Sequence, residues 1–108
     1  MSTVLVFARS QMGDGDPVLG RKILATFLRK SIAIRDLRAL LFYNDGVRLV
    51  APDSPVLAEL ALLEERGVDL IPCGTCLEFH KIAPAAGKTG NMDQIVQEMD
   101  KAGKVIAV

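Results

Sequence analysis

The sequence contains no tryptophan, only five aromatic rings (four Phe, one Tyr), a single histidine and two cysteines. A core built from it must be aliphatic. Val, Ile, Leu and Ala supply most of the hydrophobic half of the chain, a profile that suits a buried sheet covered by helices. Charge of either sign is also missing as an excess: thirteen Lys and Arg balance thirteen Asp and Glu. Without a basic surplus or a run of like charges, there is little for the counterion-release mechanism of nucleic-acid binding to act on. No apolar run approaches the ~18 residues of a membrane span. The start, MSTVLVFARS, has neither the basic region nor the long apolar stretch of a secretion signal. A cytoplasmic location is therefore expected, with no membrane or nucleic-acid partner. Two cysteines allow one disulfide at most. In a reducing compartment a close pair points instead to redox, metal or sulfur chemistry.

At 108 residues the chain fits one domain, spanning 1–108, able to bury a core without staples. Thr3–Ala8 reads as a buried strand, followed by a polar loop over Ser10–Asp16. Asp16 before Pro17 is an N-cap followed by proline at the first helical position, which predicts a helix to about Ser31. Leu37–Tyr43 is a second strand ending at the turn Asn44-Asp45-Gly46, and Val47–Val50 is a short extended piece. Val56–Arg66 follows as a helix with Val56, Leu60 and Leu63 inward, widened by Leu57 and Ala61. Glu59, Glu65 and Arg66 then face water, and Gly67 closes the helix. Val68–Ile71 is the third strand, with a short helix at Thr75–His80. Lys81–Gly90 is irregular with room for a brief strand, Asn91 caps a helix over Met92–Ala102, and Lys104–Val108 is the last strand. Such alternation predicts a three-layer αβα domain with a mainly parallel sheet of four to five strands and right-handed crossovers.

Ligands of open parallel sheets bind outside the carboxyl ends of the strands. Three loops emerge at that edge: Gly13–Asp16, Asn44–Gly46 and Cys73–Cys76. The Cys73-Gly74-Thr75-Cys76 pair is the sharpest feature. A thiolate is the reactive form of cysteine, and a helix N-terminus favours the anion. Such a pair suits disulfide exchange, persulfide carriage or metal binding. A closed zinc site needs four ligands, and Cys73, Cys76 and His80 are the only Cys and His in the chain. Gly15, Gly20 and Lys22 imitate a phosphate loop, but Arg21 breaks the required Gly-Lys order, and Asp14 and Asp16 would repel phosphate. No resident metal or cofactor is expected. His80 and Glu78 read as surface helix residues. Asn44 is placed to donate a hydrogen bond to a ligand or a thiolate, and Gly13, Asp14, Gly15 and Thr75 to line the same pocket.

The stretches VLVFARSQMGDGDPVLG, FYNDGVRL, GVDLIPCGTCLEF and TGNMDQIV, with the closing KVIAV, together resemble the DsrE/DsrF-like proteins, most closely the C-terminal domain of YedF-type proteins. The resemblance spans Val4–Val96 and beyond, and implies a flavodoxin-like α/β fold. It implies a sulfur relay in which a cysteine after the third strand, by position Cys73, accepts a sulfane sulfur and passes it on. Cys76 belongs to the pair of the YedF-like branch, and simple relay members lack it. The expected partners are sulfur donor or acceptor proteins, a TusA-like carrier among them, with assembly as a trimer or hexamer. The second cysteine also leaves open a dithiol–disulfide redox protein, and a non-catalytic oligomeric module is the third reading.

Overall fold

The computed structural model describes all of residues 1–108. Four strands, β1 (Thr3–Phe7), β2 (Leu37–Phe42), β3 (Asp69–Pro72) and β4 (Lys104–Ala107), form one parallel sheet in the order β3-β2-β1-β4. The helices are α1 (Pro17–Lys30), α2 (Leu57–Glu65), α3 (Gly74–His80) and α4 (Met92–Lys101). The expected α/β sandwich is present, at the lower end of the expected strand number.

Every residue of β1 is buried, as is Ala39–Phe42 of β2, because both strands are central and covered on both faces. That is why their sequences are unbroken apolar runs, with no alternation. One face carries Leu5, Phe7, Leu40, Phe42 and Leu70, packed against Leu24 and Leu28 of α1 and Leu60 and Leu63 of α2. Phe7 and Phe42 stack there with ring centroids 5.3 Å apart. The other face carries Val4, Val6, Ala39, Leu41, Ile71 and Cys73, and α4 covers it chiefly through the fully buried Ile95, with Met99 of the same helix and Cys76 of α3 packed at part-burial beside it.

Asp16 accepts from the amides of Val18 and Leu19 and starts α1, and Asn91 accepts from Gln94 and starts α4, as their sequences predict. Three expectations are corrected. Asn44–Val50 is a continuous 3₁₀ run and not a turn followed by an extended piece. It holds because Gly46 lies directly against the Phe7 carbonyl, a contact between distant segments that no local pattern announces. Glu59 does not face water: it is half-buried and pairs with Arg29 of α1 at 3.3 Å. Ala61 is exposed, so it does not widen the inward stripe of α2.

β3 is an edge strand, which tolerates Pro72. Its outer side is not bare. Lys88 donates to the Leu70 carbonyl at 3.1 Å and Gly90 to the Pro72 carbonyl at 2.9 Å, and Cys73 pairs with Gly90 in a single parallel bridge. The irregular segment after α3 therefore serves as a seal along β3, reduced from a strand to one bridge.

Candidate functional site

The chain turns from β3 into α3 at Cys73. Its amide donates to the Phe42 carbonyl at 2.9 Å, continuing the ladder to β2, and its carbonyl accepts from Leu77 at 3.0 Å, opening the helix. Gly74 donates to the Gly90 carbonyl at 2.9 Å, so the seal on β3 also fixes this corner. A side chain at Gly74 would crowd that carbonyl and Thr89.

Cys73 is the N-cap of α3, yet its sulfur makes no capping hydrogen bond. It points under the sheet into the small core with Ile71 and Ile95 and is 3% exposed. The expected opening to water is closed at this sulfur. Cys76, in the first turn of α3, is only partly buried and packs against both cores. Both cysteines are free thiols, three residues apart at the start of α3.

Asn44 supplies the other contact. Its main-chain N–H donates to Cys76 Sγ at 3.1 Å. The residue sits in the left-handed region, at φ 52°, which asparagine tolerates better than most side chains. The sequence places a donor here, but the main chain delivers it and not the carboxamide. Burial pushes the Cys76 thiol up from its ordinary value; the Asn44 amide works against this, while the neighbouring Cys73 side chain adds to it. The site thus stores Cys76 as a protonated thiol with one anion-stabilising donor already in place.

The sign of that shift gives a test. A raised pKa in the fold means stability that is present below the unfolded thiol pKa and lost as pH rises through the folded value. Alkylation of Cys76 by iodoacetamide, followed by peptide mass analysis, is expected to rise with pH along a curve displaced above the ordinary thiol value of about 8.5. Cys73 is expected to label far more slowly at every pH, because it is sealed. A Cys76 midpoint below the ordinary value would mean that the Asn44 amide outweighs burial at this sulfur.

The remaining residues expected at the site separate. Thr75 is exposed on α3. Gly13, Asp14 and Gly15 are exposed in a loop closed on itself: Gln11 donates to the Gly13 and Gly15 carbonyls, and Arg9 pairs with Asp14. Other residues are there instead. Asp45 pairs with Arg48 at 3.3 Å, Arg48 donates to His80 Nδ1 at 3.3 Å, and His80 Nε2 lies 3.6 Å from Asp45. The His80 side chain is 11% exposed, so this is not the surface histidine its helix position suggests. No three His, Cys, Asp or Glu side chains are close enough to share a metal ion. The signals for this cluster were spacings: Asp45 and Arg48 at i, i+3, and Cys76 and His80 at i, i+4.

The site also lies off the usual place. The strand order reverses between β1 and β4, where α/β crevices ordinarily form, whereas the sulfurs stand at the β2–β3 side. A groove of about 610 Å³ opens beside them, lined by Arg48 and His80 among others, and the cysteines do not line it.

Fold and site together define a small parallel α/β domain with a thiol pair at the carboxyl edge of its sheet. Similar folds occur among solved structures. The YchN protein of E. coli superposes with a TM-score of 0.70 at 19% identity, over all of both chains. MTH1491 of Methanobacterium thermoautotrophicum, a protein of unknown function, gives 0.69 at 18% identity, again over all of both chains. BT1422 of Bacteroides thetaiotaomicron, a conserved protein of unknown function, gives 0.68 at 18%, over 99% of this chain and 95% of that one. No family model matches the chain, and neither does any curated protein. The likeness establishes the fold. No helix is long and apolar enough to cross a membrane.

Proposed function

We propose that this protein carries sulfane sulfur as a persulfide, in the manner of DsrE/DsrF-like relay proteins, and that Cys76 is the sulfur that receives it. The observation that carries the reading is the Asn44 amide on the Cys76 sulfur at 3.1 Å, at a partly open position beside a second thiol. The Cys76 thiolate attacks the outer sulfur of a donor persulfide, a new S–S bond forms, the donor's S–S bond breaks, and the donor leaves as a thiol. The proton balance closes and no external oxidant is needed. Cys73 then attacks the inner sulfur of the Cys76 persulfide, which closes an intramolecular disulfide and releases hydrogen sulfide. This places Cys76 ahead of Cys73, the reverse of what the position after the third strand implies, because Cys73 is buried.

Incubation of the reduced protein with a persulfide donor, followed by intact mass analysis, is expected to show an adduct of roughly 32 Da, one sulfur atom. An unchanged mass while the thiols remain free for labelling refutes the assignment. Donor or acceptor proteins, a TusA-like carrier among them, and association of copies of the chain belong to this reading. Large apolar side chains left in water support the association, notably Val18 at 71% and Phe79 at 80% exposed.

Two free thiols three residues apart at the start of α3 favour a second reading, dithiol–disulfide exchange. An incoming disulfide would be reduced to two thiols as Cys73 and Cys76 pair. This reading predicts a reversible intramolecular disulfide with a defined potential and no sulfur adduct.

A further inference from the structure

The groove of about 610 Å³ is within the size range of small-molecule sites, and its charge is not that of the chain. The chain is neutral as a whole, yet Arg21, Arg48 and Lys81 line this one groove against a single carboxylate, Asp53. Arg21 and Lys81 are in no ion pair. Arg48 is held in place by Asp45 and His80, so one cation of the lining is fixed in advance. Pro55 and Ile82 add apolar wall between the charges.

The groove is also tied to the thiols. His80 lies at i+4 from Cys76, so the two stand on one face of α3, just over one helical turn (roughly 6 Å) apart along the axis. Asp45, which orients His80 and Arg48, directly follows Asn44, whose amide touches the Cys76 sulfur. A ligand anchored among the cations and long enough to span that turn would bring its far end to Cys76.

We infer that this groove docks a low-molecular-weight peptide thiol bearing carboxylates, delivered as its persulfide, so that its outer sulfur is presented to Cys76. The inference rests on the sulfur-carrier reading and names the donor class for it. Carboxylates pair with Arg21, Arg48 and Lys81. Asp53 disfavours a simple polyanion such as phosphate and suits a ligand that also carries an ammonium group. Transfer is the exchange already described: the peptide persulfide and the Cys76 thiol become the peptide thiol and the Cys76 persulfide.

Glutathione, with two carboxylates, one ammonium and one thiol, is the probe. Calorimetric titration of the reduced full chain is expected to show saturable binding. Arg21→Glu and Lys81→Glu should each weaken it by about tenfold, the loss of one charge-assisted contact. Lys104→Glu, which reverses an exposed cation on β4 outside the groove, should leave it unchanged. Loading of Cys76 from glutathione persulfide should slow in the two groove variants, while loading from inorganic polysulfide, which has no carboxylate, should not. Absence of glutathione binding, equal weakening by Lys104→Glu, or equal slowing with both donors overturns the docking assignment. Failure of both donors to load Cys76 while glutathione still binds in the groove would instead overturn the sulfur reading, since the calorimetry reports on the groove without any transfer.

Discussion

Gly46→Ala is expected to lower the thermal midpoint by roughly 10–20 °C, the equivalent of about 2–3 kcal/mol for a domain of this size. The alanine methyl would overlap the Phe7 carbonyl oxygen, with the next nearest atoms also belonging to the main chain at the end of β1. That carbonyl is not free to move. It accepts the Tyr43 amide at 3.1 Å and ends a strand that is buried throughout. The Asn44–Val50 run must therefore lift away, taking Val47, Leu49 and Val50 out of the main core. Gly15→Ala is the control. Nothing lies within 4 Å of a side chain there, and a change inside about 0.5 kcal/mol is expected. Thermal melts of both variants, followed by circular dichroism, make the comparison. Equal midpoints would show that the 3₁₀ run does not seat on β1.

Removal of one sulfur at a time should split the chemistry cleanly. Cys76→Ala is expected to abolish the persulfide adduct, because the sulfur that meets both solvent and the Asn44 amide is gone. Cys73→Ala is expected to keep the adduct and extend its lifetime on the order of tenfold or more, since the internal attack that discharges it is an intramolecular step of high effective concentration. Alanine is the better choice at position 73. Serine would bury a hydroxyl among Ile71, Leu41 and Ile95 at a cost of about 1–3 kcal/mol. Intact mass measured over time after removal of the donor reads both effects. An adduct that persists in Cys76→Ala and vanishes in Cys73→Ala would reverse the assignment and return the primary role to Cys73.

The architecture was legible because local and tertiary demands agree. Asp16-Pro17 and Asn91 mark helix starts with side chains that serve the same purpose in the fold. The apolar runs of β1 and β2 announce strands covered on both faces. The hidden part depends on contacts between segments far apart in the chain. Glu59 looks like a solvent residue until Arg29 is brought across to it. The Asn44-Asp45-Gly46 signal marks the end of β2, but the Phe7 carbonyl decides the conformation of Val47–Val50. At the site, the pairing of Asn44 with Cys76 was foreshadowed by the convergence of strand ends, while the burial of Cys73 was not drawn from it. The signal existed: Ile71 and Cys73 are two residues apart on an extended segment, so they share the face that α4 covers. The Gly13–Gly15 loop has the polar composition of a ligand site, yet its hydrogen bonds are spent on itself.

The lid over that second face is lightly anchored, with Met99 packed at part-burial beside Ile95 and Glu98 paired to Arg38. Ile95 is the only fully sequestered side chain of α4, whereas α1 and α2 grip the opposite face with several. Partial detachment of this helix, with the sheet and the other helices intact, is expected to expose Cys73 to solvent. Such a local opening, and not global unfolding, would then gate its reactivity, so hydrogen-exchange rates along residues 92–101 should set the ceiling on how fast the inner thiol is modified.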